Sequence, residues 1–214
     1  MYPKSSDIIE SVDNAFLFIV IISVIILLGV TFTMIYFVIR YSRKRNPVPT
    51  NIEGNVWLEA TWIAIPVILV LAMFYVGFSS FKVLRTIPEN AMQVKVTGQM
   101  WKWSFTYENG KASDTLYVPI NQPIKLNLTS VDVNHSFYIP AYRIKEDVVP
   151  GKENYLAFIP DKLGSYDVAC AEYCGMKHSY MYTKVVVVPE NDFKKWINTK
   201  TVQQDTTQAA ANIR

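Results

Sequence analysis

The chain has only two cysteines, and both lie in the segment CAEYCGMKHSYM, residues 170–181. The same segment carries His178, one of two histidines in the chain, and the methionine Met181. The other histidine, His135, lies upstream in VDVNHSFYIP. Thiolate, thioether and imidazole groups are ligands for soft and borderline metal ions. This composition therefore predicts a metal site built from one loop and one distant strand end.

Three kinds of site are compatible with the spacing of Cys170, Cys174, His178 and Met181, which follow the frame C-x3-C-x3-H-x2-M. A disulfide between the two cysteines is plausible in an oxidising external space, but it leaves both histidines and Met181 without a role. A tetrahedral zinc site would use both cysteines and both histidines. Zinc has little use for a thioether, so Met181 would then be accidental.

Copper is the third possibility, and it uses the whole set. Soft thiolate and thioether ligands favour copper, and imidazole suits it as well. Two thiolates can bridge two copper ions, so that each ion gains one terminal histidine. Met181 and a backbone carbonyl, such as that of Glu172, would then fill the weak positions. Each residue taken alone is better explained by core packing or ordinary hydrogen bonding, but the joint pattern is much rarer.

Two apolar segments precede these residues. Residues 15–39 carry no charged side chain, and residues 56–81 carry only Glu59 and include Pro66. About 20 apolar residues cross the ~30 Å hydrocarbon core of a bilayer, so both segments are long enough to be transmembrane helices. A cleaved signal peptide is a poorer interpretation of the first segment, because the run is too long and no small-residue cleavage site follows it.

The connector between the two segments, RYSRKRNPVPTNIEGN, is basic and is expected on the cytoplasmic side. We therefore expect an external N-terminal segment (1–14), a transmembrane helical hairpin (15–82), an external domain (83–189), and a C-terminal helical turn with a polar tail (190–214). The absence of a targeting segment favours a bacterial plasma membrane. The N-terminus and the C-terminal domain would then lie on its periplasmic side.

The external domain reads as all-β. Seven short runs rich in β-branched and aromatic residues alternate with turn signals such as ENGK, NQP and VPGK. No helical period separates them, which predicts a sandwich or Greek-key barrel. The formal net charge of +3 is too small to suggest nucleic acid as a partner.

Several motifs resemble one known family. HSFYIP, KEDVVPG and CAEYCGMKHSYM resemble the copper-binding region of the second subunit of haem–copper cytochrome c oxidases. GQMWKWSFTY resembles the aromatic segment of that family, and LEATWIAIP resembles its second transmembrane helix. The resemblance extends over about residues 15–198, and the copper loop is its most specific part.

The resemblance implies a cupredoxin-like Greek-key barrel that follows a two-helix transmembrane hairpin. It also implies the dinuclear copper centre CuA and a magnesium ion shared with subunit I through the Glu172 side chain. The implied copper ligands are the side chains of His135, Cys170, Cys174, His178 and Met181 and the main-chain oxygen of Glu172. In an aa3-type oxidase, such a subunit accepts electrons from cytochrome c. It passes them to haem in subunit I, where oxygen is reduced to water with proton translocation.

Two further residues match functional positions of the family. Trp101 matches the tryptophan that takes up electrons where cytochrome c docks, although a packing role in the barrel wall is the alternative. The family often has tyrosine where this chain has Lys102, and a positive charge there could weaken docking of a basic cytochrome. Glu59 matches a carboxylate at the entrance of a proton channel in subunit I. A carboxylate at the centre of a membrane costs about 2.5–3.5 kcal/mol. Near the helix start, however, Glu59 could instead reach the headgroups.

The expected partners are subunit I and other oxidase subunits, the lipid bilayer, and cytochrome c or a membrane-bound c-type cytochrome. Between residues 93 and 188, ten Lys and Arg side chains stand against nine Asp and Glu, so charge steering of the donor looks modest. A quinol oxidase subunit would lack the copper ligands, and nitrous oxide reductase would lack the two-helix anchor. A membrane-anchored copper-delivery module remains a different class of function.

Overall fold

The computed structural model describes residues 3–48, 50, 51 and 53–199. The described chain forms two compact units. Residues 10–83 make up one of them, and the residues on either side of that range make up the other. The predicted polar tail after residue 199 lies outside the described residues.

The first unit is made of two long helices, α1 (Ser5–Arg40) and α2 (Val56–Leu84), except that the first five residues of α1 and the last of α2 belong to the second unit. Both are long and apolar enough to cross a membrane, and most of their large apolar side chains are exposed. The Asn55 side chain caps the N-terminus of α2. Its Oδ1 accepts hydrogen bonds from the backbone N–H groups of Trp57 and Leu58, both at 3.1 Å. Pro66 lies inside α2.

Helix α1 begins well before residue 15, where the apolar run starts. The first residues of α1 include polar ones such as Asp7 and Asp13, so hydrophobicity alone does not predict a helix there. The helix nevertheless includes them. Ile8 is buried, and Ser5 donates hydrogen bonds from its backbone N–H (2.9 Å) and its hydroxyl (2.8 Å) to the carbonyl oxygen of Ile159. The first turn of α1 is therefore part of the β-rich unit.

Up to residue 199, the second unit contains ten strands, where the sequence patterns indicate seven. The strands are β1 (Met92–Gln99), β2 (Lys102–Tyr107), β3 (Ala112–Ser113), β4 (Leu116–Pro119), β5 (Ile124–Ser130), β6 (His135–Ile139), β7 (Ile144–Val148), β8 (Asn154–Phe158), β9 (Gly164–Cys170) and β10 (Tyr182–Val188). The run QVKVTGQMWKWSFTY (93–107), which counts as one of the seven runs in the sequence, is the hairpin of β1 and β2. Its turn contains neither Gly nor Pro at the tip, so composition does not reveal it.

The strands form two five-stranded sheets, in the orders β3-β2-β1-β5-β8 and β4-β10-β9-β6-β7. Most neighbours are antiparallel, but β1 pairs with β5, and β4 with β10, in parallel. Buried and partly buried residues alternate strictly along β5, as a strand with one face on a core requires. Phe105 of the first sheet and Phe137 of the second are fully buried and meet edge to face, 6.0 Å apart. The domain is therefore a β-sandwich.

A short helix, α3 (Glu190–Asn198), closes the described chain. It packs on the sandwich through buried Phe193 and through Trp196, whose ring stacks on Tyr117 at 4.5 Å. The Lys111 ammonium donates to the carbonyl oxygens of Trp196 and Thr199. These carbonyls at the helix end are thereby satisfied by a cation, which is favourable at a helix C-terminus.

Candidate metal centre

Two of the candidate ligands are fixed by the second sheet. His135 is the first residue of β6, Cys170 is the last residue of β9, and these strands are antiparallel neighbours with Phe137 opposite Cys170. The imidazole of His135 is fully buried, and the thiol of Cys170 is almost so. The sheet register therefore brings the upstream histidine to the loop that carries the cysteines.

The other ligands lie on the loop between β9 and β10. Its start is fixed by the Ala171 N–H, which donates to Ser136 O at 2.9 Å, and its end by the Cys170 N–H, which donates to Met181 O at 3.1 Å. Gly175 has a φ of +111°, a conformation that favours glycine. A single 3₁₀ turn, His178–Tyr180, then returns the chain to β10.

Two free thiols stand at the centre of the site. Cys170 Sγ and Cys174 Sγ are 3.8 Å apart, well beyond a disulfide bond of about 2.05 Å. His135 Nδ1 lies 3.8 Å from Cys170 Sγ, and His178 Nδ1 lies 3.6 Å from Cys174 Sγ. Each imidazole thus lies beside a different sulfur of a central pair.

Weaker donors complete the arrangement. Met181 is fully buried, with its Sδ 3.7 Å from Cys174 Sγ. The main-chain oxygen of Glu172 is 3.3 Å from Cys170 Sγ. All six ligand groups expected from the sequence therefore come together in one place.

The tightest group of possible ligand atoms contains one of the two imidazoles. The ligand atoms of His135, Cys170 and Cys174 all lie within 4.8 Å of one another, and His178 does not belong to that group. A tetrahedral zinc ion needs its four ligand atoms at about 2.0–2.3 Å from a single point. The described residues therefore offer His135, Cys170 and Cys174 together as possible ligands of a metal ion.

Asp132 holds His135 from the side away from the sulfurs. Asp132 Oδ1 is 2.8 Å from His135 Nε2. The Asp132 carboxylate also accepts backbone N–H groups from Met100 (2.7 Å, Oδ2) and Val133 (2.7 Å, Oδ1). Burial alone would raise the pKa of Asp132, but these hydrogen bonds outweigh it and lower the pKa below its usual range. A charged Asp132 accepts the Nε2 proton, which leaves Nδ1 free to bind a metal.

The ring face of His135 is bounded by the first sheet. A Cβ on Gly98 would lie 3.1 Å from His135 Cδ2 and 3.1 Å from the Trp103 ring. Trp103 is only 2% exposed and packs edge to face on both His135 and Phe137. The sequence patterns did not predict that Gly98 and Asp132 position the imidazole of His135. The spacing D-x-x-H in VDVNH is the one signal that could have indicated the second.

Burial raises the pKa of the Cys174 thiol to about 12, and the neighbouring Cys170 adds to the effect. Without a metal, this thiol therefore keeps its proton at neutral pH. Thiolate is the form of cysteine that binds metals, so a metal ion would displace this proton on binding.

Trp101 lies between this centre and the surface. Its indole N–H donates to the carbonyl oxygen of Cys174 at 3.2 Å, and its ring is 3.5 Å from where a Gly175 Cβ would stand. The ammonium of Lys177 lies 5.8 Å from the ring centroid. Trp101 is half-buried, whereas Trp103 is a core residue.

Glu59 belongs to the helical unit and takes no part in this cluster. It lies in the first turn of α2, where its side chain is exposed, and its N–H donates to Asn55 O at 2.9 Å. A carboxylate is favourable at a helix N-terminus. The structure is therefore compatible with a role for Glu59 in stabilising the start of α2, as well as with the role at a proton-channel entrance.

Comparison with known proteins gives matches along most of the chain. The family model for the transmembrane domain of cytochrome c oxidase subunit II matches residues 1–83, and the model for its periplasmic domain matches residues 111–188. A probable cytochrome c oxidase subunit 2 from Rickettsia felis is 32% identical over 224 residues, which cover 92% of this chain and 70% of that protein. Cytochrome c oxidase subunit 2 from Cereibacter sphaeroides is 29% identical, with 91% and 78% covered.

Solved structures agree on the fold of the sandwich. The periplasmic domain of subunit II of cytochrome oxidase from Bradyrhizobium japonicum matches with a TM-score of 0.51 and 31% identity, covering 53% of this chain and 96% of that one. A chain of a heme-copper terminal oxidase dimer matches with a TM-score of 0.51 and 23% identity, covering 61% and 99%. The second likeness concerns the fold alone.

Proposed function

Because this chain belongs to the cytochrome c oxidase subunit II family, we propose that it is the electron-accepting subunit of an aa3-type haem–copper oxidase. The observation that carries the proposal is the pair of buried thiols 3.8 Å apart, each with an imidazole nitrogen beside it. Cytochrome c, or a membrane-bound c-type cytochrome, donates the electrons. The chain passes them to haem in subunit I for reduction of oxygen to water, coupled to proton translocation.

The cluster is the site of the dinuclear copper centre CuA. The donor set supports copper, because two thiolates, two imidazoles and a thioether are the soft and borderline ligands that copper prefers. When bound by these residues, copper would supply a one-electron redox centre. Its proposed ligands are His135, Cys170, Cys174, His178, Met181 and the main-chain oxygen of Glu172.

The protein's contribution is to hold these ligands in place before the metal arrives. Asp132 fixes the orientation and the proton of His135, and the sheet register fixes His135 relative to Cys170. Most of the ligand groups are buried, which excludes water. A site that is already formed needs little rearrangement when its charge changes, which suits electron transfer.

Trp101 is the proposed point of electron uptake. Its hydrogen bond to the Cys174 carbonyl connects a partly exposed ring directly with a ligand residue. Trp103 is fully enclosed and serves as packing for His135.

Two carboxylates have proposed roles toward the large subunit. The exposed Glu172 side chain would bind a magnesium ion shared with subunit I, since carboxylate oxygen is a favourable ligand for that ion. Glu59 would lie at the entrance of a proton channel in subunit I. An ionisable group in a membrane helix is a functional candidate by default.

The proposed location is a bacterial plasma membrane, with α1 and α2 spanning it and the sandwich on the periplasmic side. The basic connector between the helices supports this orientation, since such loops stay in the cytoplasm. The attachment of Ser5 to Ile159 supports it independently, because it requires the N-terminus and the sandwich to be on the same side.

Paramagnetic resonance of the copper-loaded full-length chain tests the proposal. We expect hyperfine splitting shared equally by two copper nuclei, and two copper ions per chain by elemental analysis. A signal from one isolated copper ion, or tight zinc binding without copper, would contradict the dinuclear centre.

A further inference from the structure

Two lysines flank the proposed point of electron uptake. Lys177 has its ammonium 5.8 Å from the centroid of the Trp101 ring. Lys102 follows Trp101 directly and is exposed at the start of β2, where Trp103 points into the core. A cation over an aromatic face is favourable, so Lys177 has a physical reason to stay there.

The same region exposes flexible apolar side chains. Met176 is 87% exposed. It lies between Lys177 and Gly175, where an added Cβ would stand 3.5 Å from the Trp101 ring. Met100, the residue before Trp101, is 43% exposed. Methionine adapts to irregular partner surfaces and is enriched at interfaces. We name the five residues Met100, Trp101, Lys102, Met176 and Lys177 the Trp101 face.

The acidic groups nearby offset the two lysines only in part. Asp132 keeps its negative charge, but its side chain is only 20% exposed, because its oxygens accept backbone N–H groups and lie against His135. Glu172 is the one acidic residue in the loop after Cys170, and its single charge offsets at most one of the two lysines. The Trp101 face is therefore apolar at its centre and positive at its edge.

From this charge pattern we infer that the Trp101 face docks a redox protein whose own docking surface is acidic around its exposed redox group. Opposite charges at the rim of an interface raise the rate of encounter and align the partners, while like charges repel them. A lysine-rich cytochrome would bring its cations against Lys102 and Lys177. The inference rests on the proposed function, because it takes Trp101 as the point of electron uptake.

One cytochrome in three chemical forms provides the test. A lysine-rich c-type cytochrome is used unmodified, acetylated so that its lysines are neutral, and succinylated so that they carry carboxylates. Binding of each form to the copper-loaded full-length chain, in a zwitterionic detergent, is measured at low and at moderate ionic strength. We expect the succinylated form to bind most tightly and the unmodified form most weakly. Affinity for the succinylated form should fall as salt rises, because salt screens the attraction.

Charge-reversal variants test whether Lys102 and Lys177 cause the preference for the succinylated cytochrome. Lys102→Glu and Lys177→Glu should each weaken binding of the succinylated cytochrome by about three- to tenfold, mainly through slower association. Lys162→Glu is the matched control. It makes the same change of net charge, but Lys162 precedes Gly164 at the opposite end of β9 from Cys170, about 20 Å away at ~3.3 Å per residue. This control should bind like the unchanged chain.

Three outcomes would overturn the inference. The first is tighter binding of the unmodified cytochrome, and the second is equal effects of Lys177→Glu and Lys162→Glu. The third is loss of a dimer on Lys177→Glu in sedimentation, which would mean that a second copy of this chain covers the face. Paramagnetic resonance of the same samples distinguishes failure of the docking inference from failure of the proposed function. A dinuclear copper signal with the wrong charge preference contradicts only the docking inference, whereas absence of that signal contradicts the proposed function.

Discussion

Asp132 and Cys170 approach the imidazole of His135 from its two opposite nitrogens. Asp132 Oδ1 is 2.8 Å from Nε2, and Cys170 Sγ is 3.8 Å from Nδ1. The carboxylate thereby determines which nitrogen carries the proton and how the ring is turned. Outer residues of this kind contribute strongly to metal affinity although they never touch the metal.

Replacement of Asp132 by alanine should weaken copper binding by about 10–100-fold, because His135 loses the group that sets its tautomer and orientation. Competition with a copper chelator measures the affinity of the full-length chain. Asp132→Asn keeps a hydrogen-bond acceptor and should restore part of it. Asp167→Ala, at an exposed position of β9, is the control. Equal affinities for Asp132→Ala and Asp167→Ala would show that Asp132 has no positioning role.

Replacement of Gly98 by alanine should disturb the copper centre through contact with His135. The new Cβ would lie 3.1 Å from both His135 and Trp103, and overpacking of this kind costs about 1–3 kcal/mol. We expect a lower melting temperature together with a changed copper spectrum. Gly110→Ala separates the two effects. Gly110 has a φ of +81° with open space around it, so alanine there should lower stability and leave the spectrum unchanged.

The metal-free chain should lose stability in alkaline solution. The pKa of Cys174 is raised to about 12 by burial and by Cys170, against an ordinary value near 9. The folded protein therefore keeps a proton that the unfolded chain releases. The resulting contribution to stability is present below pH 9 and is lost as the pH rises toward 12. Burial also raises the pKa of Tyr107, so its contribution disappears above pH 10.

Thermal unfolding of the reduced, metal-free full-length chain between pH 7 and pH 11 measures this loss. Cys174→Ser removes the thiol and should make the decline between pH 9 and pH 10 shallower. Tyr107→Phe removes the second group, at the cost of the Tyr107 hydroxyl's hydrogen bonds to the backbone of Tyr117. An unchanged slope in Cys174→Ser would mean that the thiol does not titrate differently in the folded state.

Replacement of Trp101 by phenylalanine should slow electron uptake severalfold and leave the copper spectrum intact. Phenylalanine keeps an aromatic ring but loses the N–H that donates to the Cys174 carbonyl. Oxygen consumption by the assembled complex, with the donor in limiting amount, reports the effect. Trp196→Phe alters a tryptophan that packs on Tyr117 instead, and should retain normal rates. If Trp101→Phe consumed oxygen at the normal rate, Trp101 would be a packing residue.

Replacement of Glu59 by alanine should slow proton uptake from the cytoplasmic side without changing the copper signal. The expected cause is loss of a carboxylate at the channel entrance of subunit I. Proton uptake by the complex in vesicles is the measurement. Glu53→Ala, in the connector before α2, removes a charge from the same part of the chain and should have no effect. Normal uptake in Glu59→Ala would return Glu59 to a role at the headgroups or at the helix end.

The family and the fold class predicted from the sequence are confirmed. The two apolar helices were predictable because their composition has few alternatives, and most strands because β-branched runs end at clear turn signals. Strand β7 was missed since its sequence, IKEDV, is mostly charged and only its ends are buried. Strand β3 has two residues, too few for any periodicity.

The types of the candidate ligand residues could be predicted from the sequence, but the residues that position them could not. Cysteine, histidine and methionine indicate a metal by their chemistry alone. Gly98 acts through its distance from His135, which depends on how β1 and β6 face each other across the sandwich. Asp132 acts through a hydrogen bond whose geometry is set by the conformation of the loop before β6. The roles of Trp101, Glu59 and the Glu172 side chain stay predictions.

The attachment of Ser5 to Ile159 also bears on the order of events during biosynthesis. The two residues are 154 positions apart. The ribosome therefore makes Ser5 well before the acceptor carbonyl of Ile159 exists. The first turn of α1 is without this partner until synthesis has passed β8. Its contact with Ile159 can thus form only in a chain that already contains the strands from β1 to β8.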